Sequence, residues 1–551
     1  MKEYSIPRLI FFFLLGTTTL CAIFTFYIFK PRFYNLDPLT FLEYLWFIST
    51  TILGLIIIFF IGYTVLYFLP SNNEFPPLVK CALSYGLGTG FLCLSMFLSI
   101  LMGLHSRLSF LPILILSIFL LIFFKIYINL KGDINEIVKT IKRQRFNKIE
   151  YFCIFLLIIE LIYLSSHWFI YPFRGWDEVF IWNLRAKKLF NGGDFKFLNK
   201  LDRQNYPLLV PLNLCFFYSL YLTEYHFAKI LTLFYFISLL IFLYYSLRSF
   251  KLSRTYSILI TTLFAIVGET FKMAKCVYAD IPFTFFYTIS TIFIFFYFKT
   301  KKQYYLIYSS IFMGLMAWTK QEGYYLFFVN ILILTLYFLF QYRKNMIIPN
   351  DVLKNFLSSF ILGFIIFLPW LLFVILNRYP SMYLGRVLII LYFRGTLRRI
   401  SNISIWGFIL IIQPYNWGIF FWIVIVFLII LNYNVLFKED NFFLFLLVFI
   451  HFLVYIYVYI ITPLPVKFHV STSYDRMLLH IAPISCFLIG ILIFDSNRMV
   501  VNIEDDSLFN YVIYIFAIFM VIYLIIINLF FKFFKPIFNF VREIFLYYFI
   551  Q

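Results

Sequence analysis

Residues 442–461 read FFLFLLVFIHFLVYIYVYII and contain no aspartate, glutamate, lysine or arginine. A helix of about 20 apolar residues spans the hydrocarbon core of a bilayer, and it satisfies its own backbone hydrogen bonds where lipid offers no partner. Similar runs recur along the whole chain. The sequence therefore predicts an all-α, polytopic membrane protein.

The composition excludes an ordinary water-soluble protein. Of the 551 residues, 63% are hydrophobic and 13% are charged, whereas a soluble domain has about 45–50% apolar and about 25% charged residues. The net charge of +20 is spread between apolar runs, which favours the lipid bilayer and phosphorylated lipids as partners and argues against nucleic acid. The seven cysteines show no CxxC spacing, and the first apolar run lacks a small-residue cleavage site, so neither a zinc site nor a cleaved signal peptide is expected.

About fifteen stretches (14 to 16) are long and apolar enough to be transmembrane helices, and residues 402–413 form a further partial span. We divide the chain into an N-terminal accessory region of four transmembrane helices (1–149), a transmembrane core (150–495), and a C-terminal helix with an interfacial tail (496–551). The predicted spans are 9–29, 45–68, 81–102, 108–124, 151–171, 227–247, 256–271, 281–298, 304–318, 324–340, 356–376, 417–436, 442–461, 477–494 and 511–531.

The orientation follows from short loops rich in lysine and arginine, which stay cytoplasmic. Four such loops, 131–148, 248–254, 299–302 and 343–354, fall on one face by the span count. The amino terminus is then cytoplasmic, and the carboxyl terminus is external unless the basic tail completes one more crossing. The long loops face outward, and they are expected to contain amphipathic helices.

The first long external loop contains the first candidate site. Residues 174–178 read RGWDE, and residues 181–190 continue in helical rhythm as IWNLRAKKLF. Partial burial makes a carboxylate a better base and a nearby cation keeps it ionised, so Asp177 is a candidate for proton abstraction. An aspartate before a helix is also a common N-cap, and the residues alone favour that structural alternative.

Three further motifs lie at external ends of predicted spans. They read YADIP at 278–282, WTKQEG at 318–323 and HVSTSYDR at 469–476. Each has a structural alternative: Asp280 as an N-cap, Lys320 and Glu322 as interface anchors, and Asp475 with Arg476 as an ion pair. Four carboxylate-bearing clusters beside extra cations nevertheless favour a substrate site, because charges at a membrane boundary usually mark substrate paths.

Taken together, these residues resemble the membrane glycosyltransferases of the C-type (GT-C) fold. That group includes the protein mannosyltransferases of glycosyltransferase family 39 and the lipid A aminoarabinose transferases. The resemblance covers about residues 151–494, and the four spans before it depart from smaller members, whose Asp-Glu loop follows their first helix. It rests on Asp177-Glu178 followed by a helix with Ala186-Lys187, and on NYPLL at 205–209, YADIP at 278–282, AWTKQEG at 317–323 and YDRMLL at 474–479.

The resemblance implies inverting transfer of a sugar from a polyprenyl-phosphate donor to an envelope lipid, glycan or protein, on the external face of the cytoplasmic (inner) membrane. Asp177 would be the general base, with Glu178 beside it in the catalytic pair. The substrate-binding residues would be Trp176, Tyr206, Asp280, Glu322, Asp475 and Arg476. Cations suit the oxygens of a leaving lipid phosphate, and the candidates are Lys187, Arg203, Lys320, Arg394 and Arg398.

The sequence demands no cofactor. A divalent metal is compatible with the chemistry but is not indicated, because His469 and His480 near Asp475 form no spaced metal-site pattern. No phosphate-binding loop for a nucleotide is present either. The alternatives are a transporter or flippase of lipid-linked saccharides, although no repeat of two similar halves is seen, an O-antigen ligase or polymerase with a diphosphate-linked donor, or a non-catalytic relative.

Overall fold

The computed structural model describes residues 41–143, 145–345, 350–380, 393–417 and 421–500. All regular structure in these ranges is helical, as predicted. One turn of π-helix, Glu178–Asn183, precedes α6. The α-helices are α1 (Phe41–Phe68), α2 (Pro77–Leu101), α3 (Leu111–Phe123), α4 (Ile126–Arg143), α5 (Lys148–Ile170), α6 (Leu184–Gly192), α7 (Leu209–Tyr221), α8 (Ile230–Ser249), α9 (Arg254–Ile266), α10 (Gly268–Ala274), α11 (Asp280–Thr300), α12 (Tyr304–Thr319), α13 (Glu322–Asn345), α14 (Asn350–Leu376), α15 (Phe393–Ile411), α16 (Pro414–Trp417), α17 (Phe421–Leu431), α18 (Tyr433–Leu436), α19 (Glu439–Ile461) and α20 (Val466–Val500).

Within the described ranges, eight helices are long and apolar enough to cross a membrane, or ten if each of two bent pairs counts as one span. A multi-pass membrane protein is therefore confirmed, whereas the count of about fifteen is not. The predicted spans 9–29 and 511–531 lie outside the described residues. Others correspond to shorter elements: α12 has 16 residues, and the predicted span 417–436 is divided among α16, α17 and α18.

Of the predicted spans, one is followed by a sharp bend and another contains one. The stretch 108–124 forms only α3, after which the chain turns by 83° into α4. Lys125, at the turn, has a left-handed backbone with φ of 52°. Helix α4 is fixed to the first two helices through Asp133, which pairs with Lys80 at 2.9 Å and accepts a hydrogen bond from Tyr63 at 2.6 Å. The predicted span 256–271 is likewise divided between α9 and α10, which meet at 68°.

Helices α1 and α2 pack closely because each has a glycine where its backbone meets that of the other helix. A Cβ atom on Gly62 would lie 1.7 Å from the carbonyl oxygen of Ser84, and one on Gly88 would lie 1.9 Å from the carbonyl oxygen of Ile58. Small residues at such contacts let two helix backbones approach each other in a membrane. The first two described spans therefore depend on these glycines for their contact.

The chain divides into two compact units. The first draws on Met1–Ser246 and Met273–Ser381, and the second on Leu247–Lys272 and Met382–Gln551. The motifs at 174–178, 278–282 and 318–323 belong to the first unit, and the motif at 469–476 belongs to the second. The three regions proposed from the sequence stay a prediction.

Candidate functional site

Glu178 is a buried carboxylate with every contact supplied by the protein. Its Oε2 atom accepts hydrogen bonds from the backbone N–H groups of Arg174 at 2.8 Å and Gly175 at 2.9 Å. Its Oε1 atom accepts one from the N–H of Val277 at 3.1 Å and lies 3.2 Å from the Nζ atom of Lys229. The side chains of Glu178 and Lys229 are 2% and 1% exposed. We call these four contacts the Glu178 clamp.

The Glu178 clamp brings the first two motifs together. Val277 directly precedes the YADIP motif, and Gly175 packs against Tyr278 so closely that a Cβ atom on the glycine would lie 2.7 Å from the tyrosine Oη. Lys229 also donates to the carbonyl oxygens of Tyr171 and Pro172 at 3.4 and 3.1 Å. The end of α5 and the loop before α11 are therefore joined through one buried ion pair.

Asp177 lies beside the clamp but is partly exposed. It occupies the position before the π-helical turn, yet its side chain makes no capping hydrogen bond to that turn. The structural alternative for Asp177, an N-cap, is therefore wrong, whereas the predicted helix over 181–190 is confirmed by the π-turn and α6. The neighbouring Trp176 is 62% exposed. The adjacent carboxylates thus differ: Glu178 is held within the protein and Asp177 reaches its surface.

The second and third motifs meet through a buried ion pair. The Nζ atom of Lys320 lies 2.9 Å from Oδ1 of Asp280 and 3.4 Å from Oε1 of Glu322. Asp280 is the first residue of α11 and follows the capping position, Ala279. The prediction of Asp280 as an N-cap is therefore wrong, since α11 begins one residue earlier than a capping Asp280 requires. Lys320 lies between α12 and α13 with its side chain 9% exposed, so it is not an exposed interface anchor.

The loop before α7 adds an arginine and a tyrosine. Tyr206 stacks on Trp182 with ring centroids 6.1 Å apart. The guanidinium of Arg203 lies 5.4 Å from the Tyr206 ring and 5.9 Å from the Trp176 ring. Arg203 makes no ion pair with any residue that the structure describes. It is thus a cation with aromatic rather than acidic neighbours.

Arg185 holds this loop in place from within the protein. The side chain donates to the carbonyl oxygens of Ile181, Asp202 and Arg203 at 2.9, 3.0 and 2.9 Å. Arg203 has a left-handed backbone, with φ of 55°, which costs energy for any residue other than glycine. Burial lowers the pKa of Arg185 to about 10, so it stays charged near neutral pH.

Four charged side chains act on the pKa of Tyr206. Burial raises its pKa, Arg203 and Lys320 act to lower it, and Glu322 and Asp177 act to raise it. These four charged groups are therefore close enough to influence one phenol. Together with Asp280, Trp176 and Tyr206 they form what we call the acid–base cluster, which lies entirely in the first unit.

Several predicted site residues have other surroundings. Lys187 pairs with Glu224 at 2.7 Å, so it has an acidic partner outside the acid–base cluster. Arg394, Arg398, Asp475 and Arg476 belong to the second unit. Arg398 is exposed, and the side chain of Arg394 lies outside the described part of the chain. Asp475 accepts hydrogen bonds from Asn416 at 2.5 Å and Trp417 at 2.9 Å.

Lys229 and Arg185 were not among the residues predicted from the sequence. Lys229 lies at the start of an apolar span, where a cation is rare and usually pairs with an acidic side chain or a backbone carbonyl. No spacing rule relates Lys229 to Glu178, or Arg185 to the carbonyl groups that it binds.

Among the residues that the structure describes, no group of three or more His, Cys, Asp or Glu side chains is arranged to hold a metal ion. Comparison with protein families, with curated proteins and with solved structures gives no significant match.

Proposed function

We propose that this protein is an integral membrane glycosyltransferase that moves a sugar from a polyprenyl phosphate to an envelope acceptor, with inversion at the anomeric carbon. One observation supports the proposal. Both oxygens of Glu178 are bound within the Glu178 clamp, whereas Asp177 is partly exposed and acts, with the cations of the acid–base cluster, on Tyr206. A base must be reachable by its substrate and held in a fixed place.

In this mechanism Asp177 takes the proton from the acceptor hydroxyl while the acceptor oxygen attacks the anomeric carbon of the donor sugar. The bond between that carbon and the phosphate oxygen breaks, and the lipid phosphate leaves with the electron pair. Placed cations stabilise such a leaving group because they face the charge where it develops. Arg203 fits this role best, since its guanidinium has no acidic partner among the described residues.

The other members of the acid–base cluster orient the reaction. Lys320 is paired with Asp280 and Glu322. Glu322, whose side chain is 19% exposed, accepts hydrogen bonds from sugar hydroxyls, whereas Asp280, which is 1% exposed, holds Lys320 in position. Trp176, which is 62% exposed, offers an apolar face to a sugar ring. Glu178 is a positioning residue that acts through Asp177.

We further propose that the acid–base cluster faces the external side of the cytoplasmic membrane. This follows the sequence prediction of about fifteen spans and of cytoplasmic basic loops. The prenyl chain of the donor stays in lipid while its phosphate reaches the membrane boundary. The four N-terminal spans form an accessory region in this scheme.

The experiment is sugar transfer by full-length protein in native membranes, with radiolabelled polyprenyl-phosphate hexoses as donors. We expect Asp177→Asn to lower transfer by about 10²- to 10⁴-fold, the usual contribution of a general base, with unchanged membrane insertion and thermal stability. The matched control is Asp194→Asn, since Asp194 is a loop residue whose side chain is 45% exposed and whose partner is Lys196 at 3.2 Å. Full transfer by Asp177→Asn eliminates the base, and translocation of the donor without transfer supports a flippase instead.

A further inference from the structure

Helix α4 begins at the level in the first unit where α1 ends. The chain turns by 83° between α3 and α4. At this turn the ring of Phe124 packs on Phe68, the last residue of α1, with ring centroids 5.1 Å apart. Helices α1 and α2 are both long and apolar enough to cross a membrane, so the end of the bundle where they are connected lies at a membrane boundary. Helix α4 is therefore placed at that boundary, nearly perpendicular to the helix before it.

One side of α4 is fixed to the ends of α1 and α2. Ile126 and Leu130 are buried against Tyr63, which lies near the end of α1. The carboxylate of Asp133 pairs with Lys80, in the first turn of α2, at 2.9 Å and accepts a hydrogen bond from Tyr63 at 2.6 Å. Because the same tyrosine contacts α4 over two turns, this part of α4 stays at one depth along the boundary.

The apolar side of α4 next to this contact is uncovered. Tyr127, Ile134 and Ile141 repeat every seven residues, so they share one face of the helix. They are 49%, 38% and 62% exposed. The surface is continuous with the end of α3, where Ile122 and Phe123 are 63% and 67% exposed. In a membrane protein, lipid covers such a face, since an amphipathic helix at the interface buries its apolar side about 5–10 Å deep.

A third side of α4 has exposed cations. Lys131, Lys139 and Lys142 lie at positions i, i+8 and i+11, which fall on one side of a helix, and all three are exposed. None of them forms an ion pair with a residue that the structure describes. Of the two acids in α4, Asp133 is already paired, which leaves Glu136. The exposed part of α4 therefore has a surplus of positive charge beside an apolar face.

We propose that α4 lies on the membrane surface and binds the headgroups of anionic phospholipids. The face with Ile134 and Ile141 enters the lipid, and the three lysines extend along the surface to the headgroup phosphates, as long basic side chains do at a membrane boundary. Each ammonium donates a charge-assisted hydrogen bond to a phosphate oxygen. A basic amphipathic helix of this kind recognises negative lipid charge. The inference goes beyond sugar transfer, because no residue of the acid–base cluster takes part.

The test is amide hydrogen exchange of residues 126–142 in the full-length protein. The protein is reconstituted in nanodiscs of phosphatidylcholine alone or of phosphatidylcholine mixed with phosphatidylglycerol. We expect exchange to be at least about fivefold slower in the anionic nanodiscs, the value of one lysine near an anionic membrane surface. High salt should remove the difference, because it screens the attraction. Inorganic phosphate added to the neutral nanodiscs should not slow exchange.

The first variant is Lys131→Gln/Lys139→Gln/Lys142→Gln, which keeps good helix-forming residues at the three positions. Its α4 is expected to exchange at the same rate in both kinds of nanodisc. The matched control replaces three exposed lysines outside α4 by glutamine, namely Lys188, Lys196 and Lys200. This control loses the same net charge and should retain the full difference between the two lipids.

A second pair of variants tests the apolar face. Ile141→Gln is expected to speed exchange of α4 about tenfold in both lipids, because it removes an apolar side chain from the lipid. Ile128→Gln is the control, since Ile128 is 53% exposed but lies outside the seven-residue repeat, and it should have no effect. Four results overturn the proposal: equal exchange in neutral and anionic nanodiscs, protection by free phosphate, equal behaviour of the two lysine variants, or equal behaviour of the two isoleucine variants.

Discussion

Arg203 has an unfavourable backbone conformation, and its guanidinium has no acidic partner among the described residues. The variant Arg203→Gly is therefore expected to lower sugar transfer while changing the free energy of unfolding little. The residue has φ of 55°, and the left-handed region costs about 1–2 kcal/mol for a residue with a Cβ atom. Glycine removes that cost but gives the unfolded chain more freedom, which offsets about 0.5–1 kcal/mol. The change also removes the guanidinium from the faces of Tyr206 and Trp176, 5.4 and 5.9 Å away.

These contributions nearly cancel in the free energy of unfolding. An exposed cation–π contact is worth about 0.5–1 kcal/mol, so Arg203→Gly is expected to leave stability within about 1 kcal/mol of the unmodified protein. Transfer should behave differently. Loss of one placed group that stabilises developing charge lowers turnover by about 10²- to 10³-fold.

The assay is turnover with a polyprenyl-phosphate hexose in native membranes, alongside the thermal midpoint of the purified protein. Arg378→Gly is the matched control, because Arg378 is exposed and has nearly the same backbone, with φ of 54°. Arg378→Gly removes the same strained conformation and the same charge as Arg203→Gly. Because Arg378 is not part of the acid–base cluster, sugar transfer should be unchanged. If Arg203→Gly keeps turnover within about tenfold of the unmodified protein, Arg203 does not stabilise the leaving phosphate.

Two further predictions concern stability. Glu178→Gln leaves the Lys229 ammonium buried without a carboxylate and should destabilise the protein by about 3–5 kcal/mol. Adding Lys229→Met should restore part of the lost free energy of unfolding. If thermal unfolding shows that the two losses simply add, the ion pair of the Glu178 clamp is contradicted. Gly323→Ala places a Cβ atom 2.5 Å from the carbonyl oxygen of Met316, and since backbone cannot swing aside we expect a loss of about 1–3 kcal/mol. Its control is Gly132→Ala, where nothing lies within 4 Å; an equal effect of both would show that the close contact does not matter.

The apolar runs predicted the long helices well, because a span is decided by local composition. The run 281–298 became α11 (Asp280–Thr300), and 442–461 lies within α19 (Glu439–Ile461). The 83° turn after α3 was not predictable in this way. No glycine or proline marks it, and the apolar pattern continues through Lys125 into α4.

The candidate site could be predicted in part. The sequence placed Asp177, Asp280 and Lys320 at the same membrane boundary, and the structure brings their segments together. The division of roles within the pair Asp177-Glu178 could not be predicted, because adjacent carboxylates look equivalent in a sequence. It depends on Lys229 and Val277, which are distant along the chain.

The hydrogen bond between Val277 and Glu178 joins residues 99 positions apart. At about 5–20 residues per second, a ribosome needs roughly 5 to 20 s to make that stretch. Lys229 emerges about halfway through this interval, so the ammonium can meet the carboxylate before the last amide does. The Glu178 clamp is therefore complete only once Val277 has been synthesised.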